Sequence, residues 1–156
     1  MPSSKSKINW CLADARRMRI ITPNSKLAKE HIEKAKHNLR AADYNIKGDF
    51  DDWAVSQAYY AMYHSLLALL FSKGFESKNH ECTISTAEYL IDKKEIDLSK
   101  DDLLFIRTTE QMTSKDAKSL REEFQYGTKT EVNKALLSNL LDKSKEIVEK
   151  VEAILS

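Results

Sequence analysis

Ser56, Tyr60 and His64 recur at four-residue steps inside an otherwise apolar run, and on a helix that spacing places all three on one face. Hydroxyls and an imidazole withdrawn from water need hydrogen-bond partners, so this face either satisfies itself, forms a seam between subunits or lines a cleft. A second concentration of chemistry runs from Arg121 to Lys129, where a guanidinium, the ring of Tyr126, Gly127 and an ammonium follow closely. A guanidinium is a bidentate donor to phosphate, and a tyrosine ring can stack on a base. Thr130 is placed to cap a helix that starts here, and the N–H groups of a helix start favour anions. Glu122, Glu123 and Glu131 stand nearby and offer Arg121 a purely structural partner instead.

Other signals fail on spacing. Asp49-Phe50-Asp51 has the form of a metal-holding DxD, but no Gly-Ser turn precedes it and no strand is predicted, so the acids are assigned to a helix start. His80-Glu81-Cys82 lacks the H-x-E and the later C-x-x-C of a zinc deaminase. His31 and His37 do not share a helix face. No P-loop, dinucleotide or zincin motif occurs, so neither a metal nor a cofactor is expected. Cys11 and Cys82 match no metal or redox spacing, and free thiols in a reducing cytoplasm are the expected state.

The groups that remain must be carried by helices. Among 156 residues there are only 3 Gly and 2 Pro, too few for hairpin-rich or flexible chains, and the longest apolar run, Leu66 to Phe71, is too short to span a bilayer. The start, MPSSKSK, has no apolar core of a secretory signal. Leu27, Ala28, Ile32, Ala35, Leu39, Ala42 and Ile46 predict one amphipathic helix from Asn24 to Lys47, stopped at Gly48. The next, from Asp49 to Lys73, is apolar nearly all round and must be central. It carries more apolar surface than three neighbouring helices easily cover, which predicts a homodimer. A shorter helix follows from His80 or Glu81 to Lys93. Ser99 with Asp102 forms a capping box for a fourth helix that fails near Phe124, and Thr130 opens the last. The expected fold is all-α: an up-and-down four-helix bundle with a short accessory helix over 23–156, preceded by an extension, 1–22, with a short helix around Ile8 to Met18.

Charge is balanced overall but uneven along the chain. Residues 1–47 hold 11 Lys or Arg against 4 Asp or Glu, residues 48–110 hold 6 against 12, and the rest hold 8 of each. A basic N-terminal segment beside an acidic middle fits an anion-binding face, self-association between unlike faces, or ordinary solvated helix surfaces that neutralise one another.

The run Ala58-Tyr59-Tyr60-Ala61-Met62-Tyr63-His64-Ser65-Leu66-Leu67-Ala68-Leu69-Leu70 with Lys73-Gly74, then Lys78-Asn79-His80, then Arg121-Glu122-Glu123-Phe124-Gln125-Tyr126-Gly127, resembles the small prokaryotic HEPN-domain proteins. Trp10-Cys11-Leu12 and the stretch from Pro23 to Ala28 are similar to archaeal members. The resemblance implies a helical bundle that commonly pairs as a homodimer, in a superfamily of RNA-cutting toxins, defence proteins and partners of minimal nucleotidyltransferases. Its nuclease members use an Arg followed a few residues later by a His. Arg121 matches the Arg, but Tyr126 stands where the His would fall and no histidine follows. The position that related toxins offer for nucleotidylation is Thr128 here. A tyrosine with an unperturbed pKa of about 10 is ionised only about one part in a thousand at pH 7, a poor group for taking a 2′-hydroxyl proton. The resulting expectation is a non-catalytic, cytoplasmic, homodimeric module that binds nucleotide, RNA or a partner protein within a toxin–antitoxin or defence system. Its candidate ligand-binding residues are Arg121, Tyr126, Lys129, Tyr60, His64 and His80. The alternative is a divergent metal-independent ribonuclease toxin using the same cleft.

Overall fold

The structure is a computed structural model that describes residues 4–113 and 134–156. In chain order its elements are α1 (Ser4–Leu12), β1 (Met18–Ile20), α2 (Ser25–Lys47), α3 (Asp51–Lys73), β2 (Phe75–Ser77), α4 (His80–Asp92), α5 (Lys100–Thr113) and α6 (Lys134–Leu155). The bundle of α2, α3, α5 and α6, with the shorter α4 beside it, is the all-α architecture expected from the sequence. None of the described helices is long and apolar enough to cross a membrane.

Local chemistry sets the ends of these helices. Asn24 caps α2 by accepting the Leu27 N–H at 3.0 Å, and Asn79 caps α4 by accepting the Cys82 N–H at 3.0 Å. The Ser99–Asp102 box forms in both directions: the Ser99 hydroxyl accepts from the Asp102 N–H at 3.0 Å and the Asp102 carboxylate from the Ser99 N–H at 3.2 Å. At the start of α3 the N-cap is Phe50, with no side-chain cap, so the acids are not caps in the strict sense. Asp51 is instead buried in the first turn, where it takes the Lys134 ammonium of α6 at 2.7 Å. Gly74 ends α3 in the left-handed region, φ +90°, and a Cβ there would meet the Ile21 carbonyl oxygen at 2.8 Å, so only glycine fits.

α3 is the centre of the molecule. From Ala54 to Phe71 it is buried except along one stripe formed by Trp53, Ser56, Gln57, Tyr60 and His64. Ala58, Met62, Leu66 and Leu70 meet Ile32 of α2, Ile84 of α4, Ile106 of α5 and Ile147 and Val151 of α6 in one core. Thus a single chain already covers most of the apolar surface of α3. Small side chains let helices approach closely where Ala35, Ala61 and Val148 meet.

The N-terminal segment departs from expectation in three ways. Its helix lies at Ser4–Leu12, earlier than the expected Ile8 to Met18. β1 then pairs antiparallel with β2, Met18 opposite Ser77, where no strand was predicted; three-residue strands are too short to show periodicity. The third departure concerns Cys11 and Cys82. They are not free thiols but form a disulfide with a Cα–Cα separation of 5.8 Å. They meet because α1 packs on α4 and buries both cysteines in a small cluster with Ile8 and Met18. Their separation of 71 positions hides that proximity in the sequence.

Candidate functional site

The Asn79 cap puts His80 at the first residue of α4, facing the open stripe of α3. Four side chains then fix its ring. The Tyr63 ring stacks on it with centroids 4.2 Å apart and planes 12° from parallel. The Tyr59 hydroxyl is 2.8 Å from His80 Nδ1, and the Glu110 carboxylate of α5 is 3.9 Å from the same nitrogen. Tyr60 presents its ring at 85° to the imidazole plane, 6.4 Å away.

Behind these rings a hydroxyl chain holds Tyr63. Its hydroxyl is 3.2 Å from that of Thr83, which is 2.8 Å from Ser77 and donates to the Asn79 carbonyl at 3.0 Å. Burial pushes the Tyr59 and Tyr63 hydroxyls above the usual tyrosine range, and the nearby Glu110 charge acts in the same direction. Both therefore stay protonated at neutral pH. Tyr59 donates to Nδ1 when His80 carries its proton on Nε2, and accepts from Nδ1–H when the ring is charged. In either state Nδ1 is engaged, and His80 Nε2 has no hydrogen-bond partner among the described residues. The side chain is 43% exposed, and Nε2 is the nitrogen left to hydrogen-bond with a ligand.

Of the expected site residues, the structure brings Tyr60 and His80 together. His64 lies on the same stripe but turns to α2, where its Nδ1 is 3.0 Å from Nδ1 of His31. Tyr63 stands between it and His80, its ring 6.2 Å from that of His64. The ladder of Ser56, Tyr60 and His64 does not satisfy itself through mutual hydrogen bonds; it is the part of α3 left open. Arg121, Tyr126 and Lys129 lie outside the described residues. Sequence reasoning missed Tyr59, Tyr63 and Glu110. The first two sat in view at i, i+4 beside Tyr60, but only the position of α4 shows that they converge on an imidazole. Among the described residues no group of three or more His, Cys, Asp or Glu side chains is placed to hold a metal ion.

A helical bundle that presents a half-exposed imidazole held among tyrosines defines a class: a small all-α domain with an aromatic, hydrogen-bonding surface patch. The model of the HEPN domain matches residues 28–154, and the chain belongs to the HEPN-domain family. It is similar to a UPF0332 protein of Archaeoglobus fulgidus, 33% identical over 78% of this chain and 89% of that protein. It is also similar to a protein of Methanocaldococcus jannaschii named "putative toxin", 30% identical over 80% of this chain and 78% of that one.

Proposed function

We propose that this HEPN module is non-catalytic, pairs as a homodimer in the cytoplasm and binds nucleotide or RNA on the face where Tyr60 and His80 are exposed. The observation that carries this reading is the His80 ring, 43% exposed and held by Tyr59 and Tyr63 through Nδ1 and its face, with the 44% exposed Tyr60 ring beside it. Such a surface stacks on a base and hydrogen-bonds to its edge or to a phosphate. Arg121 and Lys129, by their charge, and Tyr126, by its ring, belong to the proposed ligand-binding set on sequence grounds alone. The likeness to a protein named a putative toxin supports a place in a toxin–antitoxin or defence system; a minimal nucleotidyltransferase as protein partner is part of the proposal and rests on the sequence resemblance alone.

Fluorescence anisotropy with a short single-stranded RNA tests this. Tyr60→Ala is expected to weaken binding by about 1 to 3 kcal/mol, the worth of one base–aromatic stack. His80→Ala weakens it as well, and binding falls as salt rises. Equal affinity for wild type and both variants would refute the assignment.

One observation favours the ribonuclease alternative. His80, with Nδ1 held and a carboxylate behind it, has the arrangement of a positioned acid–base group. The non-catalytic reading expects little or no RNA cleavage by the purified protein. Robust cleavage that disappears in both His80→Ala and Arg121→Ala would establish the toxin reading instead.

A further inference from the structure

The Cys11–Cys82 disulfide is buried, yet a cleft of about 400 Å³ lined by Ser6, Lys7, Trp10, Cys11 and Glu81 reaches it from the side of α1. Cys11 lines that cleft and Cys82 does not. A thiolate opens a disulfide by attacking one sulfur through a mixed disulfide, and access decides which sulfur is attacked. The cleft brings a small thiol up to Cys11, the 1% exposed member of the pair, so that a slight opening of α1 bares its sulfur, while the burial of both cysteines keeps their sulfurs from the surface of a folded reductase.

Beside the bond, the contacts that hold α1 include a small apolar cluster and one ion pair. α1 is 9 residues long, and helices that short are marginal on their own. Its anchors include Ile8, Cys11 and Leu12, in or against the small cluster with Met18 and Cys82, and the Lys7–Glu81 ion pair, whose carboxylate Arg107 shares. Lys7 and Glu81 are both partly exposed, so that pair adds little. Cys82 lies within the matched HEPN domain and Cys11 before it, so the bond ties the N-terminal helix onto the matched bundle.

We propose that Cys11–Cys82 is a latch opened by a low-molecular-weight thiol, and that opening it releases α1 from α4. A thiolate entering beside Trp10 forms a bond to Cys11 Sγ as the Cys11–Cys82 bond breaks; the electron pair leaves on Cys82 Sγ, which takes a proton from water. A second thiolate attacks the outer sulfur of the mixed disulfide, and Cys11 Sγ leaves and is protonated in turn. Two small thiols are oxidised to one disulfide and the protein disulfide is reduced to two thiols. The flank of α4 beneath α1 is then open to solvent. This latch is independent of the ligand-binding reading.

The test is hydrogen exchange on the full chain, oxidised and after treatment with reduced glutathione, with free thiols counted by mass spectrometry. Once the bond is open, residues 4–12 and the start of α4 are expected to exchange about tenfold or more faster than α3, through a local opening that denaturant does not promote, while α3 still exchanges only through global unfolding. Cys11→Ser should behave as the reduced form without added thiol, and if it fails to fold, Cys82→Ser and the reduced wild type carry the same comparison. Glutathione is expected to open the bond faster than the chain unfolds globally. Unchanged protection of α1 with both thiols free, reduction only at the rate of global unfolding, or an air-exposed chain without the bond would each overturn the proposal.

Discussion

His31 and His64 share a proton across the seam between α2 and α3. Their Nδ1 atoms are 3.0 Å apart while the ring centroids are 5.3 Å apart, so the rings meet at their edges, one Nδ1–H donating to the other Nδ1. A metal ion has no room between them. Half-burial, then the neighbouring His31 and Lys34, holds His64 down to about 4. Burial also lowers His31, against the pull of Glu30. Because both folded-state values lie below the free imidazole value, acid favours the unfolded chain. The contribution is fully present above about pH 6.5 and is lost as pH falls toward about 4. For half-exposed rings this is on the order of 1 kcal/mol. Urea unfolding between about pH 7 and about pH 4.5 should show a loss in wild type that His64→Phe reduces; equal losses would contradict it. The sequence showed His64 on a polar face of α3. Its partner was not legible, because His31 lies on another helix and only the packing of α2 on α3 brings the rings together.

At the scale of elements, caps and periodicity were legible because they are local. Asn24, Asn79, the Ser99–Asp102 box and Gly74 all act where the sequence placed a helix boundary. The long-range partners of the same residues were not. Asp102 is a cap, but it is also 1% exposed and takes the ammonium groups of Lys143 at 2.9 Å and Lys150 at 3.0 Å, which join α5 to α6. Burial alone would raise its carboxyl, but the hydrogen bonds from Lys143, Lys150 and Ser99 outweigh it and hold the group at about 2. A lowered carboxyl stabilises the fold above its unfolded value, and that contribution disappears as pH falls from about 4 through about 2. Asp102→Ala is expected to cost about 3 kcal/mol in urea unfolding, since it strands two lysines and removes the cap. Asp102→Asn, which retains a capping oxygen, should cost less. A loss within about 0.5 kcal/mol for Asp102→Ala would show that α5 and α6 do not depend on this junction.

For the whole molecule, the homodimer proposal rests on different surface from the one the sequence indicated. The single chain buries most of α3, so excess apolar area is not the argument. What stays open apart from the Tyr60–His80 face is the start of α3, with Phe50 53% and Trp53 54% exposed. Light scattering at micromolar concentration is expected to give a dimer, and a monomer there would contradict the proposal. The disulfide closes a long loop, and in the chain-entropy model its reduction lowers stability by about 4 kcal/mol, measurable by urea unfolding with and without reductant. The candidate site was half legible: Tyr60 and His80 were named from the sequence, whereas the tyrosines and the carboxylate that hold His80 depend on how α3, α4 and α5 pack. An NMR titration of the whole chain with short single-stranded RNA examines the ligand-binding proposal at its centre. The His80 ring, the Tyr60 backbone amide and the amides of residues 121–130 are predicted to shift together as RNA is added. Shifts confined to the basic face of α1 and α2, with His80 and Tyr60 unmoved, would contradict it.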